Sequence, residues 1–524
     1  MRLSFLLQSV SPLRVTGAGL SNGGVLSDPE IASIHCRSGN VRPGGLFVAV
    51  RGQHADGHDF ITDALDRGAA AIVAEHDEIP NAIVARVHDS RKALASLAAA
   101  FYGYPAQKLT MIGLTGTNGK TTTAAMIENI LRAGGLAVGV IGTGNYRFAG
   151  KQYTNPLTTP ESIDLQRILA DMANAGVTHV VMEVSSHALD QARVAGCLFD
   201  VAVFTNLTQD HLDYHGTMAA YWESKRLLFT RYLSTGDDGR MPTAVINCND
   251  EHGRQLRRDL DHIRLIPVGE TGNSGAVSPR EIRYSPEGIT GKLATPRGEL
   301  SISSSLCGHY NCENILCAVG VSIALGVADD VVCQGIETFP GVPGRLEKIG
   351  NNSGRTVFVD YAHTPDAIAN VLSTVRAFTS GRLFCVFGCG GDRDRKKRPD
   401  MGRIAVSLAD GVVITSDNPR SEEPGHIIEE ILAGIGDLAE RVSGAGELSS
   451  PEGGKRYLVE PDRSRAIMAA VLASRPGDTI VIAGKGSEPY QILKDRTVDF
   501  DDRLEAGKAL RLLENIRRPA LCEI

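Results

Sequence analysis

Gly116, Gly119, Lys120 and Thr121 fall within LTMIGLTGTNGKTTT, residues 109–123, in the order that grips a nucleotide phosphate. The glycines permit a tight turn after an apolar strand, so that backbone N–H groups and the start of the following helix face an anion. Lys120 adds positive charge, and the hydroxyl of Thr121 or Thr122 is a candidate ligand for Mg²⁺. Only Thr117 and Asn118 separate the two glycines, a shorter spacer than the standard phosphate loop carries, so this is a variant loop. ATP is the nucleotide to which the pattern points first.

Further polar groups follow apolar runs. Glu183 ends VVMEV and is placed to hold Mg²⁺ through oxygen; pairing with Arg193 or capping a helix is the plainer reading. Asp210, His211, Asp213 and His215 crowd into TQDHLDYH, a density suited to metal or phosphate chemistry, or to capped turns. Lys225 stands on an expected helix, where spacing alone makes it a snorkelling surface residue. Asn311 and Asn314 open an apolar helix, able to cap it or to read an adenine edge. Arg345, in PGVPGRLEKIG, is placed to reach a phosphate from a junction between blocks. Towards the C-terminus, GCGGDRD and SDNPR bring Arg393 and Arg420 to the edge of one sheet, and AGKGSE adds Glu488. Two guanidinium groups and one carboxylate suit a zwitterionic amino acid. The basic run Arg393, Arg395, Lys396, Lys397 and Arg398 reads as a solvated loop.

Alternating strands and helices must position these groups. MIGLTG, AVGVIGT, THVVMEVSS and DVAVFTNLT are apolar strands with helical segments between them, the pattern of a doubly wound, mostly parallel sheet. TVFVDYAH, RLFCVFGCG, GVVITSDNP and DTIVIAGKG repeat it as a second parallel sheet, with polar residues gathered at the strands' carboxyl ends, where such sheets bind ligands. A smaller α/β block precedes both, and residues 270–305 read as an antiparallel excursion. The expected divisions are 1–107, 108–341 and 342–524.

The chain has 524 residues and a net charge of −7, which gives no bulk attraction to nucleic acid or to an anionic membrane. Ten scattered cysteines, mostly in apolar runs and without a C-x-x-C pair, suggest a reducing compartment. The N-terminal apolar run is too brief for a signal peptide, and no segment is long and apolar enough to span a bilayer. A cytoplasmic protein with small-molecule partners, expected to be a monomer, fits best.

Together TGTNGKTTT (115–123), MEVSSHAL (182–189), TNLTQDHLDYHG (205–216), DYAHTPDA (360–367), FGCGGDRD (387–394) and DNPR (417–420) resemble the Mur ligase family, over nearly the whole chain and in the family's order. The resemblance implies three domains: an N-terminal one for the UDP end of a substrate, a central ATPase, and a C-terminal Rossmann-like one for an amino acid. The activity it implies is the addition of meso-diaminopimelate to UDP-N-acetylmuramoyl-L-alanyl-D-glutamate. It implies that Gly116, Thr117, Asn118, Gly119, Lys120, Thr121 and Thr122 cradle ATP, with Asn311, Arg345 and His363 around the nucleotide. Thr121, Glu183 and His211 would serve Mg²⁺, as would Lys225 once CO₂ has converted it to a carbamate. Lys120, Glu183, His211 and Lys225 would be the catalytic set. Gln53, His54, Ala55, Thr158, Thr159, Ser185, Gln191 and Arg193 would contact the UDP-linked dipeptide. Arg393, Asp417, Asn418, Pro419, Arg420, Gly484 and Glu488 would surround the amino acid, and DNPR is the form expected for diaminopimelate rather than lysine. Two stretches depart from the family: His35, Cys36 and Arg37 stand where Asp-Ser-Arg is common, and Ser487 replaces a histidine.

Overall fold

The computed structural model describes residues 1–17, 28–52, 55–76, 79, 82–233, 241–260, 263–450 and 454–517. At its centre the strand Thr110–Thr115, buried throughout, has His179–Glu183 on one side and Val201–Phe204 on the other, both parallel to it. Thr243–Asn247 and Arg264–Val268 extend the sheet beyond Val201–Phe204, and Val138–Ile141 extends it at the other end. These strands are almost wholly apolar because both faces are covered. Helices Lys120–Ala133 and His309–Ala324 pack Ile127, Ile130, Ile315 and Leu316 against one face. Helices Ser162–Asn174 and Met218–Leu227 pack Leu165, Leu169, Tyr221 and Trp222 against the other.

The hairpin Gly144–Phe148 and Lys151–Asn155 finishes this sheet antiparallel. Sequence periodicity missed it because its strands are short, polar and half exposed at an edge. The antiparallel excursion is present as Ser278–Ser285, Gly288–Thr295 and Gly298–Ser304.

The C-terminal sheet has the order Glu347–Lys348, Thr356–Asp360, Thr479–Ala483, Leu383–Phe387, Gly411–Ile414, Arg456–Val459, Glu440–Val442. Every pairing is parallel except the first. The N-terminal sheet runs Arg14–Thr16, Val84–Arg86, Ala69–Ala74, Gly45–Val48, Ser33–His35, its first pair antiparallel. Among the described residues no helix is long and apolar enough to cross a membrane, and the cysteines are unpaired and mostly buried.

The basic run at 393–398 is a solvated loop only in part: Arg393, Arg395 and Lys396 are exposed, but the run ends in a helix that turns inward. Arg398 is fully buried, with its guanidinium on Glu422 and Glu430 and on the Gly390 carbonyl, and Lys397 donates to the His363 carbonyl at 2.7 Å. The two carboxylates compensate the buried Arg398 charge.

A second buried ion pair holds the sheet's carboxyl edge. Arg463 Nε and Nη2 each lie 2.7 Å from Asp502, both side chains wholly buried, and Nη2 also donates to the Ala483 carbonyl at 2.9 Å. Removing one partner strands the other charge in a dry interior. Asp502→Ala is therefore expected to destabilise the C-terminal unit by about 3–5 kcal/mol, read as a fall in the denaturant midpoint of its unfolding transition.

Candidate active site

The phosphate loop is set by close approach. Gly116 has φ +150°, and a Cβ there would lie 1.9 Å from Thr205 Oγ1; at Gly119, φ +85°, it would lie 2.3 Å from Asn314 Oδ1. Only glycine fits either position. Not every loop N–H faces outward, as the motif alone suggests. Thr117 N donates to the Asn206 carbonyl at 2.9 Å and Asn118 N to Asn206 Oδ1 at 2.8 Å. The donors suited to an anion are instead the first N–H groups of helix Lys120–Ala133, which no side chain caps.

Two lysine side chains meet at this loop. Lys120 Nζ donates to the Gly116 carbonyl at 2.8 Å and to that of Thr117 at 2.9 Å; Lys225 Nζ donates to the same Gly116 carbonyl at 2.7 Å. Lys225 is buried, against the surface position expected from spacing, because its helix, capped by Thr217, packs Tyr221 into the core and turns the lysine beneath the loop. The Tyr221 ring centre lies 4.5 Å from the ammonium, and its hydroxyl is 3.1 Å from Thr117 Oγ1. Burial, then the neighbouring Lys120 charge, pushes the Lys225 amine well below the usual lysine range. Lys120 is also lowered by burial, against the pull of Glu183 and Asp210.

Glu183 is not paired with Arg193. Its carboxylate accepts from Thr121 Oγ1 at 3.0 Å, Thr143 N at 3.1 Å and Thr143 Oγ1 at 3.3 Å. Thr121, not the buried Thr122, thus faces the carboxylate. His211, in the left-handed region at φ +55°, has Nε2 3.4 Å from Asp210 Oδ2. Burial pushes its imidazole down to about 4, so it is neutral near pH 7 and has a lone pair to donate. Around it stand His187 and Tyr221, with ring centres 4.9 and 6.0 Å away. His215 is turned aside, its ring nitrogens on Ser186 and Ser224.

The five described dipeptide candidates in the central sheet form one network. Thr158 Oγ1 is 3.1 Å from Thr143 Oγ1, and Thr159 Oγ1 donates to the Glu183 carbonyl at 2.9 Å and accepts from Ser185 N at 3.0 Å. Arg193 donates to the Thr159 carbonyl and to Gln191 Oε1, and pairs with Glu161 at 3.1 Å. In the N-terminal sheet's loop the Ala55 carbonyl accepts from Gly52 N, while Gln53 and His54 lie outside the described residues.

Asn311 and Asn314 neither cap their helix nor reach outward. Asn311 Nδ2 donates to the Cys307 carbonyl at 2.8 Å, and Asn314 bonds Asn311 and Thr123 behind Gly119. Arg345 lies over the Tyr361 ring at 4.5 Å, and His363 Nδ1 is 2.8 Å from the Tyr361 carbonyl. The segment after Tyr361 reaches the phosphate loop: Asn118 Nδ2 approaches Asp366 Oδ2 at 3.4 Å.

In the C-terminal sheet, Arg393 and Arg420 both flank Gly390, where a Cβ would lie 3.0 Å from Arg420 Nη1 and 3.7 Å from Arg393 Cγ. Arg420 is held at φ +52° and donates to the Gly391 carbonyl. Backbone strain of this kind collects at functional turns. Gly484, φ +118°, leaves room for Asp417 Oδ2, which would be 2.4 Å from a Cβ. Asn418 Nδ2 donates to Glu488 Oε2 at 2.8 Å, and Pro419 leads into Arg420. A cavity of about 970 Å³ joins the two sheets' edges, lined by Thr121, Thr158 and Glu183 on one side and by Arg345, Tyr361, Glu488 and Tyr490 on the other. Thr143, Asn206 and Asp366 were missed in the sequence because nothing in their spacing marks them; only chain folding brings them to the loop.

Comparison with known proteins places three stretches. Residues 114–322 match the Mur ligase middle domain, 344–486 the Mur ligase glutamate ligase domain, and 30–102 the Mur ligase family catalytic domain. The chain is 47% identical over 519 residues to a UDP-N-acetylmuramoyl-L-alanyl-D-glutamate–2,6-diaminopimelate ligase of Geobacter metallireducens, covering 98% of this chain and 99% of that one. It is 43% identical over 511 residues to the enzyme of the same name from Geobacillus thermodenitrificans, covering 98% and 99%. A solved structure of a ligase so named is 31% identical, with a TM-score of 0.66, over 92% of this chain and 95% of that one. The folylpolyglutamate synthase of Mycobacterium tuberculosis, solved with ADP, shares the fold at 21% identity and a TM-score of 0.58, over 80% and 93%.

Because a methyl group at Gly119 meets Asn314 and a positive φ, Gly119→Ala is expected to weaken ADP binding by about tenfold or more, on the order of the strain of one such residue. Titration calorimetry checks this, and unchanged affinity would count against the loop as the nucleotide site.

Proposed function

The chain belongs to the Mur ligase family, and on that premise we propose that it is an ATP-dependent amide ligase of peptidoglycan precursor synthesis. It joins meso-diaminopimelate to the D-Glu side-chain carboxylate of UDP-N-acetylmuramoyl-L-alanyl-D-glutamate through an acyl phosphate, releasing ADP and phosphate. The observation that carries this reading is the single cavity onto which Thr121, Glu183 and Thr158 face from one sheet and Glu488 and Tyr490 from the other. Phosphoryl transfer and amine attack need their groups around one space.

In the first step an oxygen of the D-Glu carboxylate attacks the γ-phosphorus of ATP and ADP leaves. Gly116 to Thr122 hold the phosphates, and Lys120 offsets their charge. Arg345 and His363 flank the nucleotide, while Asn311, bonded to Asn314, supports the loop from behind Gly119. Thr158, Thr159, Ser185, Gln191 and Arg193, with Gln53, His54 and Ala55, hold the UDP-linked dipeptide so that its carboxylate reaches the phosphate loop. In the second step the neutral amine attacks the acyl carbon, phosphate leaves, and the nitrogen loses a proton. Arg393, Asp417, Asn418, Pro419, Arg420, Gly484 and Glu488 orient the incoming amino acid. Arg420 is the residue for the distal carboxylate that diaminopimelate has and lysine lacks.

The Thr121 hydroxyl and its partner carboxylate Glu183 are oxygen donors of the kind Mg²⁺ takes and would hold it, with the neutral imidazole of His211 as the further ligand the family resemblance implies. Bound there, Mg²⁺ supplies neutralising charge to the transferring phosphoryl group. Lys225 hydrogen-bonds only a backbone carbonyl among the described residues, with no carboxylate partner, and the burial that lowers its pKa favours the uncharged form of the amine, to which CO₂ adds. Its carbamate would give the site a second carboxylate-like group. A cytoplasmic monomer, with no nucleic-acid or membrane partner, completes the proposal.

Phosphate release from ATP, with the UDP-dipeptide and Mg²⁺, is to be measured with meso-diaminopimelate, L-lysine and D-Ala-D-Ala in parallel, with product mass determined. Turnover with diaminopimelate alone is expected; turnover with lysine would overturn the role given to Arg420, and silence with all three would overturn the ligase. Arg420→Ala is expected to raise KM for diaminopimelate by about tenfold or more, the cost of one unpaired charge contact. After equilibration with ¹³C-bicarbonate, the wild-type protein is expected to show a carbamate carbon resonance that Lys225→Arg lacks.

A further inference from the structure

Lys485 is wholly buried at the carboxyl edge of the C-terminal sheet, and no role above uses it. Its Nζ donates to Asn418 Oδ1 at 3.2 Å and lies 3.3 Å from Glu488 Oε2. Asn418 Nδ2 closes the triangle with a 2.8 Å bond to the same Glu488 oxygen, and Asn418 Oδ1 also accepts from Ile492 N at 2.9 Å. The face of the Tyr490 ring covers the ammonium at 5.6 Å.

This arrangement leaves little freedom. An ammonium and a backbone N–H can only donate, so the Asn418 amide must turn its oxygen to them and its nitrogen to Glu488. Glu488 Oε2 is then held by two donors, while Oε1 takes none among the described groups, and Glu488 lines the shared cavity. A buried ammonium is costly unless a carboxylate compensates it. Here the compensating carboxylate belongs to the ligand pocket, so the pair ties one wall of the pocket to the sheet.

We propose that Lys485 is a positioning residue: it locks the Asn418–Glu488 pair so that one carboxylate oxygen, Glu488 Oε1, is presented to an ammonium group of the incoming amino acid. The inference rests on the amino-acid ligase reading above. It makes Lys485 matter for the amino acid and not for the nucleotide, which a general loss of stability would not do.

The test is steady-state kinetics on the full chain with ATP, the UDP-dipeptide and meso-diaminopimelate, for wild type, Lys485→Met, Glu488→Gln and the double variant, with melting temperatures alongside. Lys485→Met is expected to raise KM for diaminopimelate about tenfold or more and to leave KM for ATP within about twofold. The double variant is expected to lie within about twofold of Glu488→Gln, because the lysine acts through that carboxylate. Multiplying effects in the double variant, or equal rises in both KM values, would overturn the inference while leaving the ligase standing. A wild-type chain inactive with diaminopimelate would overturn both. If Lys485→Met does not fold, Lys485→Gln, which keeps a donor at that position without the charge, takes its place in the same cycle with the same deciding outcomes.

Discussion

One backbone carbonyl, that of Gly116, receives the side-chain amines of both Lys120 and Lys225. Two like charges in a site this dry would repel strongly, and that repulsion adds to burial in disfavouring the charged form of Lys225. Asp210 pulls on both lysines and Glu183 on Lys120, without forming an ion pair with either among the described residues. The uncapped start of helix Lys120–Ala133 opens beside them towards an anion. Thr205 and Asn314 leave no room for a side chain at Gly116 or Gly119, so the loop is held in this shape. Holding Lys120 and the helix start at one turn keeps the site electrostatically prepared for phosphate before any ligand arrives.

That preparation would be idle if the second reactant stood far away. The linker from Gly341 to Lys348 crosses between the sheets, and Gly344, at φ +70°, presses so closely on the Gly486–Ser487 turn that a Cβ would lie 2.0 Å from Ser487 N. On the other side of the cavity Asn118 touches Asp366, and Lys397 holds the His363 carbonyl. Strand polarity makes this meeting possible. Each parallel sheet gathers its loops at its carboxyl edge, so turning two such edges together surrounds one space with groups from loops of both.

What the sequence made legible follows from how local each cause is. The glycine turn, the apolar strands and the arginines of GCGGDRD and SDNPR are set by neighbours in the chain, and they stand where expected. Lys225 is not of that kind. Whether a lysine on a helix is exposed depends on which face another segment covers, and here the covering segment is the phosphate loop, more than a hundred residues earlier. Only family resemblance singled it out. Arg398 misled for the same reason, since its partners Glu422 and Glu430 lie more than twenty residues later, in and before the helix Pro424–Leu432. The hairpin Gly144–Asn155 escaped because an edge carries no buried alternation to read.

The two ends of the cavity solve opposite electrostatic problems. At the phosphate loop Lys120 and the open helix start stand together and a carboxylate is held back by threonine donors, which favours a highly charged anion. At the other end the buried cations are matched within the protein, Arg463 by Asp502, Arg398 by Glu422 and Glu430, and Lys485 by Glu488, which leaves Arg420 and one oxygen of Glu488 for a ligand. A pocket built from satisfied pairs presents single, oriented atoms instead of a net field. That suits a zwitterion, whose affinity comes from placing several charges at once. An acyl phosphate formed at the first end is open to water until an amine reaches it, so binding the amino acid by geometry at the second end, close at hand, is what makes amide formation win over hydrolysis.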